Sequence, residues 1–525
     1  MLGKCQAMLA GYDSAEQALA RAASLAPASA FVHLWHGHAL REANKPEAAI
    51  AAYERAALLD PADVNAAIGA ALTTPIIYAD ESEIARWRAR YARGIERLLV
   101  QEPGRDWWKH VLKLEWSNFY VAYQGGNDRD LQAGYSAFID RLLSRAVPQW
   151  QQPLATPGTP SDRLHVAFVS AHFRNHTVAD YFGRWITDLS RERFRVSVFH
   201  TGHSADARTD EFRAAADRFA HVPDDAQGAA SALATAKPDV IVYPDVGMSP
   251  IDSVLVNLRL APTQVAAWGH PVTTGSRHVD AYFSCREMEP PDAAGHYAER
   301  LVLLPGIGVD YRPRVAIREA TREQFRLPAD GHVYVCPQSL FKIHPATDAL
   351  PLDILAVDAK AVLVLFAVTA KGQMDAFVAR ITGAMARQGL AMKGQIKFLP
   401  KLPREVFLGL LGVADVMLDP LQWSGGNTAL DALSVGLPII TLPGSEMRGR
   451  QSAAMLRLIG VDELIARDRA DYVRRALAVG GDAGYRAELS RRIIAGLPAI
   501  LERRDATAAF AEAVEQVHAA RAAGR

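Results

Sequence analysis

Residues 418–444, LDPLQWSGGNTALDALSVGLPIITLPG, carry the clearest indication of how this chain folds. A β-rich run, ADVMLDP, leads through a glycine-containing turn into a helical run, NTALDALSVG. The first N–H groups of a helix lack partners within the helix and carry partial positive charge, so such a helix start binds phosphate. Gly425 and Gly426 let the backbone approach a pyrophosphate closely. An ordinary glycine turn before a capped helix has the same local pattern, so the motif alone leaves both interpretations open.

The side chains at the start of this helix have the chemistry of a nucleotide site. Asn427 or Thr428 can cap the helix or donate a hydrogen bond to phosphate. Asp431 lies about one turn further and can accept hydrogen bonds from ribose hydroxyls. The helix start therefore predicts contacts to both phosphate and ribose.

Working outward, the same alternation of strand and helix recurs in two series. The first series contains the runs LHVAFVS (164–170), FRVSVFH (194–200) and DVIVYPDV (239–246). The second begins near residue 330 and contains the runs HVYVCPQ, AVLVLFAV, QIKFLP, ADVMLDP and LPIITLP. Alternating strands and helices predict two parallel, doubly wound sheets with a ligand cleft at the carboxyl ends of their strands. The last helical stretch, from about residue 482 to 523, is expected to pack behind the second sheet.

A helical repeat precedes these sheets. The positions that match a tetratricopeptide repeat are Gly37, Ala49, Tyr53, Ala56 and Pro61, and, one period earlier, Gly3, Ala15, Leu19, Ala22 and Pro27. Pro27 and Pro61 are 34 residues apart, the period of that repeat. Two repeats are few for an independent array, so we expect them to stack on further helices over about residues 80–145.

Composition narrows the class of protein. Lys and Arg number 58 and Asp and Glu number 58, so the net charge gives no reason to expect nucleic acid or a membrane surface as partner. The three cysteines, Cys5, Cys285 and Cys336, are too few and too scattered for a disulfide framework or a zinc site, which indicates free thiols in the cytoplasm. Neither a secretory signal nor a long apolar run is present, so a membrane span is not expected.

Four further segments accompany residues 418–444 in a fixed order: FVSAHFRNHTVADYF (168–182), LAPTQVAAWGHPVTTGSRHVDAYFS (260–284), CPQSLFKIHPATDALPLDIL (336–355) and FLPKLPREVFLGLLGVADVMLDP (398–420). Together these separated motifs resemble family 41 of the glycosyltransferases, which includes the O-GlcNAc transferases and the bacterial adhesin glucosyltransferases. The resemblance covers about residues 160–500. It implies a GT-B fold, inversion at the anomeric carbon, and no metal or cofactor, with the UDP-sugar as co-substrate.

The resemblance and the patterns together divide the chain into four parts. These are an all-α tetratricopeptide-like region (1–150), a Pro-rich linker (151–162), an N-terminal Rossmann-like lobe (163–325) and a C-terminal Rossmann-like lobe with terminal helices (326–525). The resemblance assigns the UDP-sugar to the C-terminal lobe.

The resemblance also implies residue roles. Lys342, in FKIHP, matches the lysine that contacts the UDP diphosphate, where a cation can meet the charge that develops on the leaving group. The predicted substrate-binding residues are Gln338, Arg404, Phe407, Gly425, Gly426, Asn427, Thr428 and Asp431. Arg404 stands near the expected position of the uracil, and Phe407 stands where the O-GlcNAc transferases have a ring-stacking histidine, although core packing explains this phenylalanine equally well.

Two histidines are candidates for the active site. His176 matches the histidine of an HFxNH-like stretch and His270 belongs to a WGHP stretch that resembles the adhesin enzymes. An imidazole has a pKa in the range useful to a general base, but His176 can also cap the following helix. His172 and His278 are interpreted as structural.

Departures from the O-GlcNAc transferases leave the donor and the acceptor open. Gly426, Asn427 and Thr428 replace a His-Thr-Thr run, and Asn427, Asp431 and WGHP are closer to the adhesin glucosyltransferases.

The favoured function is transfer of GlcNAc or glucose to Ser or Thr of a protein acceptor. The alternatives are N-glucosylation of Asn from UDP-glucose, transfer to a small molecule, lipid or glycan, and a non-catalytic repeat scaffold. The repeats then either bind the acceptor protein or act as a cap packed on the lobes.

Overall fold

The computed structural model describes residues 11–152, 162–313, 318–390 and 394–523 of the chain. Most of the predicted linker, residues 153–161, and Gly3 of the first repeat lie outside the described residues. The described chain forms a helical region followed by two lobes, each built on a parallel sheet. None of the described helices is long and apolar enough to cross a membrane.

The helical region begins as antiparallel pairs of helices. Its helices are α1 (Tyr12–Leu25), α2 (Ala30–Glu42), α3 (Pro46–Leu59), α4 (Val64–Leu72), α5 (Glu81–Gln101) and α6 (Arg129–Ala146). A Cβ on Gly37 of α2 would lie 2.7 Å from the ring of Tyr53 on α3, so the small residue sets the spacing of this pair. Ala15 and Leu19 are likewise buried, against α2. The pairing is consistent with tetratricopeptide repeats.

The prediction of helices over residues 80–145 is wrong for the middle of that range. Between α5 and α6 the chain forms short 3₁₀ turns instead of an α-helix. The backbone N–H of Glu115 donates to the Asn65 side chain at 2.8 Å, and that side chain donates to the carbonyl of Lys113 at 3.1 Å. The backbone groups of this segment therefore bond to a side chain of α4 instead of to each other in a helix.

The first lobe contains a seven-stranded parallel sheet in the order β3-β2-β1-β4-β5-β6-β7. Its strands are β1 (Leu164–Ser170), β2 (Phe194–His200), β3 (Arg218–His221), β4 (Val240–Tyr243), β5 (Thr263–Ala267), β6 (Ala281–Cys285) and β7 (Arg300–Leu304). The helices of this lobe are α7 (Thr177–Thr187), α8 (Ala207–Ala215), α9 (Ala226–Ala236) and α10 (Pro250–Leu255). The three predicted strands are present, and the structure adds four that the sequence patterns did not indicate.

The second lobe contains a five-stranded parallel sheet in the order β10-β9-β8-β11-β12. Its strands are β8 (His332–Val335), β9 (Ala361–Phe366), β10 (Ile396–Leu399), β11 (Val416–Leu418) and β12 (Ile439–Ile440). Its helices are α11 (Ala349–Val357), α12 (Lys371–Arg387), α13 (Arg404–Val413), α14 (Asn427–Ser434), α15 (Gln451–Leu458), α16 (Arg469–Gly481) and α17 (Ala483–Gly496). The two-lobed fold of doubly wound sheets is therefore confirmed.

The last helix, α18 (Arg504–Ala522), does not lie where we expected it. Instead of packing behind the second sheet, it crosses back to the first lobe, where the Phe510 ring stacks on Trp185 with centroids 3.9 Å apart. His518 lies 3.0 Å from the Thr263 hydroxyl of β5. The apolar face of α18 packs on an apolar surface of the first lobe. Because α18 follows the helices of the second lobe, it links the two lobes.

The strand order indicates where each sheet would bind a ligand. Strand order reverses between β1 and β4 in the first lobe and between β8 and β11 in the second. Ligands of doubly wound folds bind at such reversals, beyond the carboxyl ends of the strands. The loops that follow β1 and β8 hold HFRNH and FKIHP, and the loop after β11 holds the glycine turn.

Candidate active site

One buried carboxylate, that of Asp419, fixes the glycine turn after β11. Asp419 is 1% exposed and accepts hydrogen bonds from the Ser424 hydroxyl (2.7 Å), the Gly425 N–H (2.7 Å) and the Thr441 hydroxyl (2.8 Å). The turn is therefore fixed before α14 begins, with the first N–H groups of that helix at the cleft.

Gly426 lies where the two lobes approach each other. A Cβ at this position would be 2.6 Å from the Tyr181 hydroxyl of α7 and 2.7 Å from Oε1 of Gln451. Only glycine fits this space without a shift. The close approach explains why the second glycine of the turn is needed here.

The first turn of α14 is connected to β8. The Gln338 amide donates to the Thr428 hydroxyl at 2.8 Å, which brings together two of the predicted substrate-binding residues. Asn427 donates to Asp431 at 3.0 Å along the same helix. The structure thus gathers these four side chains at one helix start.

Arg404 joins the lobes at this point. Its guanidinium donates to Asp431 at 2.9 Å, to Asp180 of α7 at 2.8 Å and to the Tyr311 hydroxyl at 2.8 Å. The Tyr311 hydroxyl in turn donates to Asn427 at 2.9 Å. Burial raises the pKa of Asp431, and Arg404 opposes that rise. The residues predicted for uracil and ribose therefore bond to each other and to the first lobe in this structure.

Phe407 lies apart from this network. Its ring meets Phe366 edge to face, with centroids 5.8 Å apart and planes at 69°, and it packs against the core of the second lobe. Its contacts in the structure are those of core packing. A base-stacking role for Phe407 stays a prediction.

Lys342 reaches into the cleft without a charged partner. Its Nζ atom lies 5.2 Å from the centroid of the Trp423 ring and 5.9 Å from that of Tyr123. Within the described part of the chain, no carboxylate lies within ion-pair distance of it. Burial lowers the pKa of Lys342 to about 8. An ammonium held in this way is available to an anionic ligand.

His270 belongs to the aromatic group around Lys342. Its ring stacks on Phe119 with centroids 5.3 Å apart, and Trp423 lies 5.9 Å away. Burial, followed by the charges of Arg448 and Lys342, lowers the pKa of His270 to about 3. Its Nε2 atom is buried and has no hydrogen-bond partner among the described residues.

His176 lies at the N-terminus of α7, and its Nδ1 accepts the backbone N–H of Val178 at 3.2 Å. Burial is the largest cause that lowers the pKa of His176 to about 3. Its ring stacks on that of His172, with centroids 4.3 Å apart. His172, interpreted as structural from the sequence, therefore lies beside the predicted site residue.

His278, in contrast, binds Asp140 of α6 at 2.7 Å and links the helical region to the first lobe.

Sequence reasoning missed the contributions of the helical region and of the chain between the lobes. Phe119 and Tyr123 come from the 3₁₀ segment and pack around His270 and Lys342. The aromatic run FYVAY before Gly125 was a usable signal for them. Tyr311 and Asp180 carried no such signal, because their contacts with Arg404 arise only from the meeting of the lobes.

Comparisons with known proteins agree with this geometry. Residues 307–497 match the family described as Glycosyl transferase family 41. A probable UDP-N-acetylglucosamine–peptide N-acetylglucosaminyltransferase SEC from Arabidopsis thaliana is 25% identical over 366 residues, covering 67% of this chain and 37% of that protein. A UDP-glucose:protein N-beta-glucosyltransferase from Actinobacillus pleuropneumoniae is 24% identical over 257 residues, covering 49% of this chain and 40% of that protein. The chain spans less than half of the length of these curated relatives.

A solved structure extends the likeness to the whole fold. A mutant of the O-GlcNAc transferase from Thermobaculum terrenum superposes with a TM-score of 0.74 and 25% identity, covering 98% of this chain and 95% of that one. The helical region and both lobes are thus matched together. With the motif order and the match over residues 307–497, the chain is similar to glycosyltransferase family 41 in sequence, and its fold is that of an O-GlcNAc transferase.

Proposed function

We propose that this protein is an inverting glycosyltransferase that moves GlcNAc or glucose from a UDP-sugar to a Ser or Thr hydroxyl of a protein acceptor. The observation that carries the proposal is the Lys342 ammonium, buried in the cleft without a carboxylate partner. It shares the cleft with the start of α14, where backbone N–H groups are free to meet a diphosphate.

The donor binds, in this proposal, mainly to the second lobe. The diphosphate lies at the start of α14, and Asp431 exchanges its bond with Arg404 for one with the ribose. As the bond between the sugar and the β-phosphate breaks, negative charge grows on the phosphate oxygen. Lys342 meets that charge, so the reaction proceeds without a metal ion.

The acceptor reaches the cleft from the side of the helical region. A cavity of about 950 Å³ separates that region from the first lobe, and its walls include Trp35, Arg41, Phe119, His172 and Met248. We propose that a protein segment enters here, which gives the repeats an acceptor-binding role in addition to their packing role. The free thiols Cys285 and Cys336 support a cytoplasmic location.

One observation favours a second candidate. The Actinobacillus relative is described as a UDP-glucose:protein N-beta-glucosyltransferase. Asn427, Asp431 and the WGHP stretch of this chain resemble the adhesin type. Glucosylation of an Asn amide is therefore the alternative reaction at the same site.

The test is UDP release from a panel of UDP-sugars, with and without excess EDTA, followed by mass spectrometry of modified proteins. We expect release from UDP-GlcNAc or UDP-glucose, transfer to Ser or Thr, and no effect of EDTA. Modified Asn would favour the second candidate. Loss of transfer that Mn²⁺ restores would refute metal independence, and a protein that binds no UDP would be the non-catalytic scaffold.

A further inference from the structure

We propose that His172, oriented by Asp245, is the base that takes the proton from the acceptor hydroxyl. The inference rests on the proposed function, because it assigns a residue to the transfer step. It gives that role to a histidine that the sequence motifs did not single out.

The bonds around His172 fix the orientation of its ring. Nδ1 lies 2.7 Å from the Asp245 carboxylate, which is 1% exposed and also accepts the Ser170 hydroxyl at 3.0 Å. The backbone N–H of His172 donates to that same hydroxyl oxygen at 2.8 Å. The carboxyl ends of β1 and β4 are neighbours at the strand reversal, and residues from both of them thus hold one imidazole. A carboxylate at Nδ1 places the proton on that nitrogen and leaves a lone pair on Nε2.

The His172 side chain borders the space that the proposed acceptor would use. Its Nε2 atom makes no hydrogen bond with any residue in the described ranges, and the side chain keeps 14% of its exposure. His172 lies in the wall of the 950 Å³ cavity between the helical region and the first lobe. A base must lie within hydrogen-bond reach of the proton that it removes, and a residue in the cavity wall with an unbonded ring nitrogen meets this requirement for an acceptor bound there.

The other two histidines lack these features. His176 uses Nδ1 to cap α7, and no carboxylate orients it. His270 is enclosed by Phe119, Tyr123 and Trp423, with Nε2 buried. Burial disfavours the protonated form of both rings. Among the residues that the structure describes, neither ring has a carboxylate at hydrogen-bond distance, whereas Nδ1 of His172 lies 2.7 Å from that of Asp245.

In the transfer step, one bond forms at the anomeric carbon and one breaks. The acceptor oxygen attacks the anomeric carbon while its proton moves to Nε2 of His172. The bond from that carbon to the β-phosphate oxygen breaks, and its electron pair stays on the phosphate, opposite Lys342. The proton on His172 then passes to solvent, so the products are the glycosylated acceptor, UDP and a proton.

The experiment measures single-turnover transfer and UDP affinity for His172→Asn, which retains an N–H donor toward Asp245 but has no Nε2. We expect transfer to fall about 10²–10⁴-fold, the usual contribution of a general base, with unchanged UDP affinity. His203→Asn is the matched control, because His203 also pairs with an aspartate, Asp224 at 3.1 Å, but is 82% exposed. It should transfer at the wild-type rate.

Two further variants separate catalysis from structure. Asp245→Asn should slow transfer, and adding it to His172→Asn should cost little more, because the two residues act as one unit. Imidazole in the buffer should restore part of the activity of His172→Ala, which a structural role would not allow.

Each adverse outcome has a distinct meaning. Wild-type-like transfer by His172→Asn, loss of its UDP affinity, or absence of rescue by imidazole overturns the assignment of His172 alone. Absence of any transfer by the wild-type protein overturns the proposed function and this inference with it.

Discussion

The role proposed for Lys342 follows from the surroundings of its side chain. Its ammonium lies over the Trp423 ring, and burial lowers its pKa to about 8. A cation without a fixed counter-ion interacts more strongly with the growing charge of a leaving group than with the bound donor, and only such a difference accelerates the reaction.

Replacement of Lys342 tests this role. We predict that Lys342→Ala slows single-turnover transfer at saturating donor by about 10²–10³-fold, the cost of removing one preorganised stabiliser. UDP affinity, measured by calorimetry, should fall only modestly, because backbone N–H groups still hold the diphosphate. Lys360→Ala, on an exposed lysine before β9, is the control. A Lys342→Ala protein that keeps more than about a tenth of the wild-type rate would contradict the assignment.

The lowered pKa of Lys342 also predicts a pH dependence. The lysine is charged below about pH 8 and loses its proton above it. Transfer needs the charged form, so kcat/KM for the donor should fall as pH rises through that value. Lys342→Arg should be slower than the wild type below about pH 8, since its planar fork replaces a compact charge, but should show no such alkaline fall because guanidinium stays charged. A wild-type profile without an alkaline fall would show that another group sets the rate.

At the scale of elements, the strand–turn–helix of the second lobe depends on its second glycine. A Cβ on Gly426 would meet the Tyr181 hydroxyl at 2.6 Å and Gln451 at 2.7 Å. We predict that Gly426→Ala weakens UDP binding in a calorimetric titration by about tenfold or more, since overpacking costs about 1–3 kcal/mol. Gly412→Ala is the control, because a Cβ there meets nothing within 4 Å. Equal UDP affinity of both variants would mean that the turn does not hold the nucleotide.

Buried strands were easier to predict from the sequence than an edge strand or the packing partner of a helix. β1 and β2 are buried apolar runs, and both were predicted with their observed bounds. β3 was missed because Arg218–His221 is a short, half-exposed edge strand without an apolar pattern. α18 was recognised as a helix, but its partner was not, because the stacking of Phe510 on Trp185 joins residues far apart in sequence.

The arrangement of the candidate site was predictable in part. Motifs located Lys342, Gln338 and the turn before Asn427, since each follows a strand at a reversal of strand order. The contact of Arg404 with Asp180 and the packing of Phe119 on His270 could not be read from the sequence. Both depend on how separate parts of the chain meet.

In the whole molecule, the helical region packs against both lobes. It contacts the second lobe at the start of α12. There the backbone N–H of Lys371 donates to Asp13 at 3.0 Å, and the Gln373 amide donates to the carbonyl of Glu42 at 2.8 Å. It contacts the first lobe through the pair of Asp140 and His278. The region therefore fixes the position of Phe119 and Tyr123 relative to both lobes.

Gly372 tests this docking. A Cβ there would lie 1.9 Å from the backbone oxygen of Ala43, so Gly372→Ala forces α12 away from the helical region. We predict a loss of about 1–3 kcal/mol in the free energy of unfolding, measured by denaturant titration. Gly383→Ala, on the same helix, meets only Arg387 at 3.5 Å and should be neutral or stabilising, because alanine favours helix over glycine by about 1 kcal/mol. Equal stability of both variants would show that the two parts are not packed as described.

The most direct measurement is an experimental structure of the protein with bound UDP. We predict that the diphosphate lies between the Lys342 ammonium and the first turn of α14, with the ribose near Asp431 and the nucleotide held mainly by the second lobe. UDP bound outside the cleft, or within it but away from Lys342 and Gly426, would contradict the proposed active site.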